Sequence, residues 1–504
     1  MSSLTSAPVA ADAVREELII DGRSTPAATG ESFERSSPAH DVVVGSYARA
    51  AEADVARAVA SARRAFDEGP WPQRPGAHRA KVLHRVGELI RRDRESLARV
   101  ETLESGKPIS QALDEVDAAA ELWEYAATLA RHSYGDAHND LGQDVLAFVL
   151  NEPVGVVAVI TPWNFPLLIV SQKLPFALAV GCTAVVKPSE LTPGTTVRLG
   201  RLLLEAGLDD GVVNVLTGWG DAGAAMSAHP DVDMVSFTGS TAVGRKVGAG
   251  AGAQLKRVEL ELGGKNPQIV CADADFDAAL DAVVFGVYFN AGECCNSGSR
   301  VLVDTRIAAE FNAEVTRRST RVPVGDPLDP ATKVGAITSD EQLQTIERYV
   351  ADGRRAGFDL LTGGARRSTP VGRYFEPTVF AGVPPSASIA QEEIFGPVLS
   401  VIAFDGLDEA IRIANSTMYG LSAGIWTADI NAALTAARRL QAGTIWVNRW
   451  MDGYPELPFG GYKSSGEGRE LGRQAIHSFT QTKTVQLQVG PRITRWVPSA
   501  EGST

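Results

Sequence analysis

Cys294 and Cys295 stand side by side in the stretch Phe289-Asn-Ala-Gly-Glu-Cys-Cys-Asn-Ser-Gly-Ser-Arg300, directly after an apolar run from Ala279 to Phe289. The run reads as a helix ending at Ala291-Gly292, which delivers a thiol onto a loop of small and polar residues, a common setting for functional loops. A thiol of pKa about 8.5 attacks only as its thiolate, so a working cysteine needs a neighbour to activate it. The alternative that this stretch alone leaves open is a buried cysteine serving as a small hydrophobe.

Candidate proton partners are few. The seven histidines (His40, His78, His84, His132, His138, His229, His477) all lie outside the Gly/Pro-rich motifs, and no Cys or His pair has metal-ligand spacing. A metal is therefore not expected. Glu261, in Glu259-Leu-Glu-Leu-Gly-Gly-Lys-Asn-Pro267, sits at a strand end before a Gly-Gly turn. Partial burial there would raise its pKa toward that of a general base. If Cys295 is a nucleophile, its proton chemistry falls to Glu261. In Ile160-Thr-Pro-Trp-Asn-Phe-Pro166 two prolines hold a loop around Trp163 and Asn164, and a rigidly aimed amide of that kind suits an oxyanion.

Other motifs point to a nucleotide. Phe237-Thr-Gly-Ser-Thr-Ala-Val-Gly244 follows a strand and opens a helix, where backbone N–H groups meet phosphates. Its spacing is not that of the Rossmann glycine fingerprint. Lys187 and Glu190, in Val185-Val-Lys-Pro-Ser-Glu190, lie just past a strand's carboxyl end, where open α/β sheets bind ligands. A carboxylate there can accept both ribose hydroxyls of adenosine and repels a 2′-phosphate.

The elements that must position these residues alternate. Short Val-rich strands (154–160, 183–186, 212–216, 235–237, 258–262) are separated by helical stretches (167–180, 195–206, 222–228, 242–250), which predicts a parallel sheet with helical crossovers. A second alternating region runs from Gln268 to about Phe459. Strands 145–150 and 482–489 suit a pairing at an oligomer edge. At 504 residues the chain has room for two or three domains, and 44% hydrophobic with 22% charged residues is ordinary for a globular protein. A net charge of -13 argues against nucleic acid or an anionic membrane. Four unpaired-looking cysteines, no signal pattern and no long apolar run predict a cytoplasmic protein.

Taken together, Thr161-Pro-Trp-Asn-Phe-Pro, Lys187-Pro-Ser-Glu, Phe237-Thr-Gly-Ser-Thr, Glu261-Leu-Gly-Gly-Lys, the cysteine loop, Glu392-Glu-Ile-Phe-Gly-Pro397 and Pro458-Phe-Gly-Gly-Tyr-Lys-Ser-Ser-Gly466 resemble the NAD(P)-dependent aldehyde dehydrogenase superfamily. The resemblance spans residues 17 to 489. It implies an α/β fold of two parallel-sheet domains, a Rossmann-like cofactor domain and a catalytic domain, plus a small β oligomerisation element. The implied boundaries are a disordered extension 1–16, a cofactor domain 17–137 and 154–262, oligomerisation strands and tail 138–153 and 478–504, and a catalytic domain 263–477. The implied activity is oxidation of a small aldehyde to its acid through a thiohemiacetal and a thioester, in a homodimer or homotetramer. By motif, Cys295 matches the nucleophile, Glu261 the base and Asn164 the oxyanion donor. NAD, favoured over NADP, would meet Thr161, Pro162, Trp163, Lys187, Ser189, Glu190, Gly220, Phe237, Gly239, Ser240, Leu262, Glu393 and Phe395. Two residues depart from the usual pattern: Glu293, expected to point away from the thiol, and Asn296, which could hydrogen-bond substrate. The expected tunnel comprises Phe165, Gln172, Phe289, Asn296, Trp450, Tyr454 and Phe459, with Glu456 nearby. An amino- or aryl-aldehyde suits it, as does an aliphatic one. Transfer of the acyl group to CoA, or a catalytically idle binding protein on this scaffold, are the rival readings.

Overall fold

Strands that read as unbroken Val/Ala runs form sheets covered on both faces. Val156–Ile160 and Thr183–Lys187 are buried along their whole length, as parallel strands under helices must be. The computed structural model describes residues 13–132, 134–490 and 496–497. Its first large sheet runs 466–467, 257–261, 234–238, 156–160, 183–187, 213–215, 18–20, 23–25. The central five strands are parallel and the edges antiparallel. The chain leaves the 156–160 strand for 183–187 on one side and returns on the other at 234–238. That reversal opens a crevice beyond the carboxyl ends, where Thr161, Lys187, Thr238 and Glu261 sit.

The second large sheet runs 359–362, 378–381, 398–404, 300–304, 267–270, 422–426, 444–447. It is parallel except for the 359–362 edge. The helix Phe276–Tyr288, capped by the Asp275 carboxylate, links the 267–270 and 300–304 strands. The cysteine loop is the return of this crossover, so it meets the amino end of the second sheet while Glu261 closes the carboxyl end of the first. The strand Gly466–Glu467 pairs back onto 257–261, Gly466 opposite Glu261. The sheet holding the cofactor motifs is thus completed from beyond the expected 262/263 boundary.

A third, antiparallel sheet pairs 480–488 along its whole length with 145–153, which also pairs with 136–138. The expected contact between the two longer strands is present. The expected disorder does not hold at residues 14–16: Val14–Glu16 form a strand parallel to 43–48, because Glu16 and Tyr47 bury there. Residues 1–12, expected to be disordered, and 491–495 and 498–504, expected as a tail, lie outside the described residues.

Between the cores of the two sheets, a small cluster of Phe165, Ile169 and Cys294 marks the seam. Its approach is tight. Gly292 has φ +74°, and a Cβ there would lie 2.2 Å from the Gly396 carbonyl oxygen. A left-handed conformation and a backbone clash together penalise any side chain. Gly292→Ala is expected to lower stability by about 2 kcal/mol or more, read from the urea unfolding midpoint; an unchanged midpoint would contradict this packing.

Candidate active site

The loop that carries Cys295 is held in a strained shape by side-chain amides. Asn290 and Ala291 adopt left-handed conformations, φ 50° and 56°, of the kind that persists only where the surroundings over-determine it. Asn290 Nδ2 donates to the carbonyls of Asn164 (3.1 Å) and Glu293 (3.0 Å). Asn266 Nδ2 donates to the carbonyls of Cys295 (2.7 Å) and Ser297 (3.0 Å), while its Oδ1 accepts from the Ser422 N–H (3.0 Å). Asn266 is the residue whose role sequence reasoning missed, although it sits inside the Glu259 to Pro267 motif. An Asn between a Gly-Gly turn and Pro267 was the available signal.

Asn164 is buried, and one hydrogen of its Nδ2 is spent on the Glu293 carbonyl at 3.1 Å. An amide nitrogen carries two hydrogens, so one donor remains. Both cysteines line the main cavity with Glu261, but Cys294 is buried in the apolar seam whereas Cys295 is partly exposed. The hydrogen bond with Cys294, and then burial, hold the Cys295 thiol well above its usual range. Burial also pushes the Glu261 carboxyl well above the carboxylate range, and the neighbouring Glu470 pushes the same way. Neither Glu261 oxygen has a hydrogen-bond partner. Glu470 ion-pairs with Lys173, whose Nζ also reaches Ser236 Oγ at 3.2 Å, so a buried charge relay stands behind Glu261. Glu470 and Lys173 were not among the residues singled out from sequence.

Glu293 does point away from the thiol. Its Oε1 accepts the Thr338 N–H at 3.1 Å, and burial raises its carboxyl well above the ordinary range.

The expected cofactor residues gather at the crevice. Lys187 is buried, Gly223 of the helix begun by Gly220 packs against its side chain, and its Nζ lies 3.9 Å from Glu190. Ser189 Oγ accepts the Leu191 N–H and keeps that turn closed. Thr161 and Pro162 follow the 156–160 strand, and the Thr161 hydroxyl is buried without a partner. Gly239 donates to the Glu261 carbonyl at 3.1 Å, beneath the Phe237 ring, and Ser240 caps the helix Thr241–Ala253. Leu262 packs against Gly244 of that helix. Trp163 meets Phe395 edge-on at 5.2 Å. Burial pushes the Glu393 carboxyl up to about 7 even though the Gly264 N–H, at 2.8 Å, favours its charged form.

A cavity of about 700 Å³ leads from the surface to Cys295. Phe165, Gln172, Phe289, Asn296, Tyr454 and Phe459 line it as expected, and Trp446 and Met451 join them. Phe165 and Phe289 stack at 5.9 Å, and Asn296 accepts the Ser422 hydroxyl at 3.1 Å. Trp450 is a correction. It is 5% exposed and outside the cavity wall, because Gly286, Gly298 and Gly424 leave a slot for its indole beneath the cysteine loop. Glu456 is likewise absent from the wall; it lies near Tyr125.

A thiol and an unpartnered carboxyl at the end of one tunnel, a spare amide donor bonded to the cysteine loop, and a nucleotide-type crevice beside them are the parts of a covalent carbonyl chemistry. The sequence model of the aldehyde dehydrogenase family matches residues 25–485. Betaine aldehyde dehydrogenase from Bacillus subtilis is 39% identical over 96% of this chain and 100% of its own length. The crystal structure of an NAD-dependent aldehyde dehydrogenase from Sinorhizobium meliloti superposes with a TM-score of 0.96 at 49% identity, covering 98% of each chain. A betaine aldehyde dehydrogenase from Staphylococcus aureus, solved with NAD+ and a mercaptoethanol-modified cysteine, gives 0.94 at 37% identity, over 96% of this chain and 98% of that one. No helix among the described residues is long and apolar enough to cross a membrane. The chain belongs to the aldehyde dehydrogenase family.

Proposed function

We propose that the chain oxidises an aldehyde to the free carboxylic acid with NAD, using Cys295 as nucleophile and Glu261 as the base that activates water. The observation that carries this reading is the pairing of the Cys295 thiol with the unpartnered, buried Glu261 carboxyl on one cavity wall. A buried carboxyl with nothing to bond is costly unless a substrate or water completes it. Acyl transfer to CoA would not need such a base.

The crevice residues fit a dinucleotide. Thr161 and Thr238 present buried hydroxyls without partners, and the Lys187/Glu190 pair offers a donor and an acceptor to an adenosine ribose. The N-terminus of the 241–253 helix suits the pyrophosphate, and Glu393 suits the second ribose. When bound, the dinucleotide supplies the hydride acceptor.

The chain's own residues do the rest. The Cys295 thiol gives its proton to solvent water, and the thiolate sulfur adds to the aldehyde carbon. The free Asn164 N–H and the Cys295 backbone N–H hold the oxyanion, and one such donor is commonly worth about 3–4 kcal/mol. Collapse of the oxyanion, with loss of the aldehyde hydrogen as hydride, leaves a thioester on Cys295. Glu261 then takes a proton from water, hydroxide adds to the thioester, and the thiolate departs as the acid forms. Asn266 acts by holding the Cys295 carbonyl and so aiming its N–H. Copies assemble through the exposed 480–488 strand of the third sheet, whose free edge is suited to pairing, as a homodimer or homotetramer.

Four outcomes are expected. Cys295→Ala abolishes turnover while NAD still binds, and Glu261→Gln gives one burst of NADH and then stalls. Turnover surviving in the first variant, or no burst in the second, would contradict the assigned roles. NAD is used at least about tenfold more efficiently than NADP, and Glu190→Gln narrows that ratio; an unchanged ratio of kcat/KM would remove Glu190 from the contact. Because Glu470 raises the Glu261 carboxyl and Lys173 lowers it, Glu470→Gln moves the acid limb of the kcat profile to lower pH. A limb that stays or rises would show that Glu470 does not set it.

A further inference from the structure

Behind the loop that carries Asn164, two carboxyl groups are buried against one ammonium. Lys107 Nζ pairs with Glu101 at 2.9 Å and with Glu115, and all three side chains are out of water. Glu101 alone balances the Lys107 charge, so Glu115 is one buried carboxyl more than the ammonium needs, and burying such a group is costly. Its second oxygen shows what it is kept for. Glu115 Oε1, on the helix Ile109–Leu129, accepts the Leu168 N–H at 3.2 Å.

Leu168 belongs to the first turn of the helix Pro166–Val180, where backbone N–H groups have no partner within the helix. The residue in the capping place is Phe165, whose side chain cannot accept a hydrogen bond, so the cap comes from the neighbouring helix. In the same turn the Phe165 carbonyl accepts the Ile169 N–H at 2.9 Å. Lys107 Nζ lies 4.1 Å from the centre of the Phe165 ring, a cation–π contact. Asn164, immediately before it in the chain, is tied to the cysteine loop by the Asn290 amide and the Glu293 carbonyl. The Asn164–Phe165 backbone is thus clamped between that loop and the Glu115–Lys107 pair.

We propose that Glu115 is a positioning residue for the reaction: through the Leu168 N–H and Lys107 it fixes the turn that aims the Asn164 amide at the oxyanion. The inference rests on the aldehyde-oxidising reading above and adds the element that preorganises its oxyanion donor. A donor that must be re-aimed at each turnover forfeits part of its effect. The consequence therefore falls on the steps that form the oxyanion and release hydride, and leaves the thiol itself untouched.

The test follows NADH in a single turnover, with enzyme in excess over butanal and NAD saturating. Glu115→Leu, which leaves Lys107 balanced by Glu101, is expected to slow NADH formation at least about tenfold. Alkylation of Cys295 by iodoacetamide, a displacement that builds no oxyanion, stays within about twofold of the wild-type rate. Glu115→Gln, whose amide oxygen still accepts the Leu168 N–H, keeps NADH formation within about threefold. In an Asn164→Ala background Glu115→Leu adds less than about twofold, because the donor it aims is gone. Any one of four results would overturn the proposal: no slowing in Glu115→Leu, equal slowing with and without Asn164, alkylation slowed as much as NADH formation, or a Gln variant as slow as the Leu variant. Where Glu115→Leu does not fold, Glu115→Asp, which keeps a carboxylate for Lys107 but stops short of Leu168, carries the same comparisons. A wild-type protein that yields no NADH from butanal would instead overturn the oxidation reading itself.

Discussion

Burial of charge at the seam between the two parallel sheets is the constraint on which the rest of the molecule turns. Glu261 closes a strand of the first sheet, in a place where Glu259, Glu470 and Lys173 are also out of water. Three carboxyls and one ammonium cannot all be charged there, since each unshared charge costs several kcal/mol in a low-dielectric interior. Lys173 settles on Glu470, and Glu261 is left with a raised affinity for a proton. A carboxyl with that property is a stronger base than the same carboxyl on a surface strand.

The cysteine loop answers the same constraint from the other sheet. Its backbone cannot join a strand ladder, so its carbonyls are satisfied by Asn290, Asn266 and Asn164. Those amides fix the Cys295 N–H and the Asn164 side chain relative to the thiol at no further cost when substrate arrives. Preorganisation of this kind is where electrostatic catalysis draws its strength. Trp450 supports the loop from below, in a slot that exists because three glycines from three elements surround it. The residues that touch substrate and those that hold them are therefore distinct sets, interleaved within a few positions of the chain.

Much of this was legible in the residues themselves. Alternating Val-rich strands and helices foretold both parallel sheets, because a strand buried on two faces must be apolar throughout. Cys295 and Glu261 line one cavity, Asn164 is tied to the cysteine loop through the Glu293 carbonyl, and Lys187 and Glu190 lie together at the crevice. What could not be read was tertiary. Gly466–Glu467 returns to the first sheet over a separation of some two hundred residues, and no local pattern announces that pairing. Trp450 looked like tunnel lining because an aromatic in a Gly/Pro-rich loop serves equally well as a wall or as packing, and only its three glycine neighbours decide. Asn266, Lys173 and Glu470 were passed over because a buried polar residue and a solvated one look alike in sequence.

The central claim is that covalent chemistry takes place on Cys295 and on no other group. Its most direct test is peptide mass spectrometry on the Glu261→Gln protein quenched after mixing with butanal and NAD. The acyl group is expected on the peptide carrying the cysteine loop, with fragment ions placing it on Cys295. An acyl group on Cys294, or none on either cysteine while NADH is formed, would contradict the account.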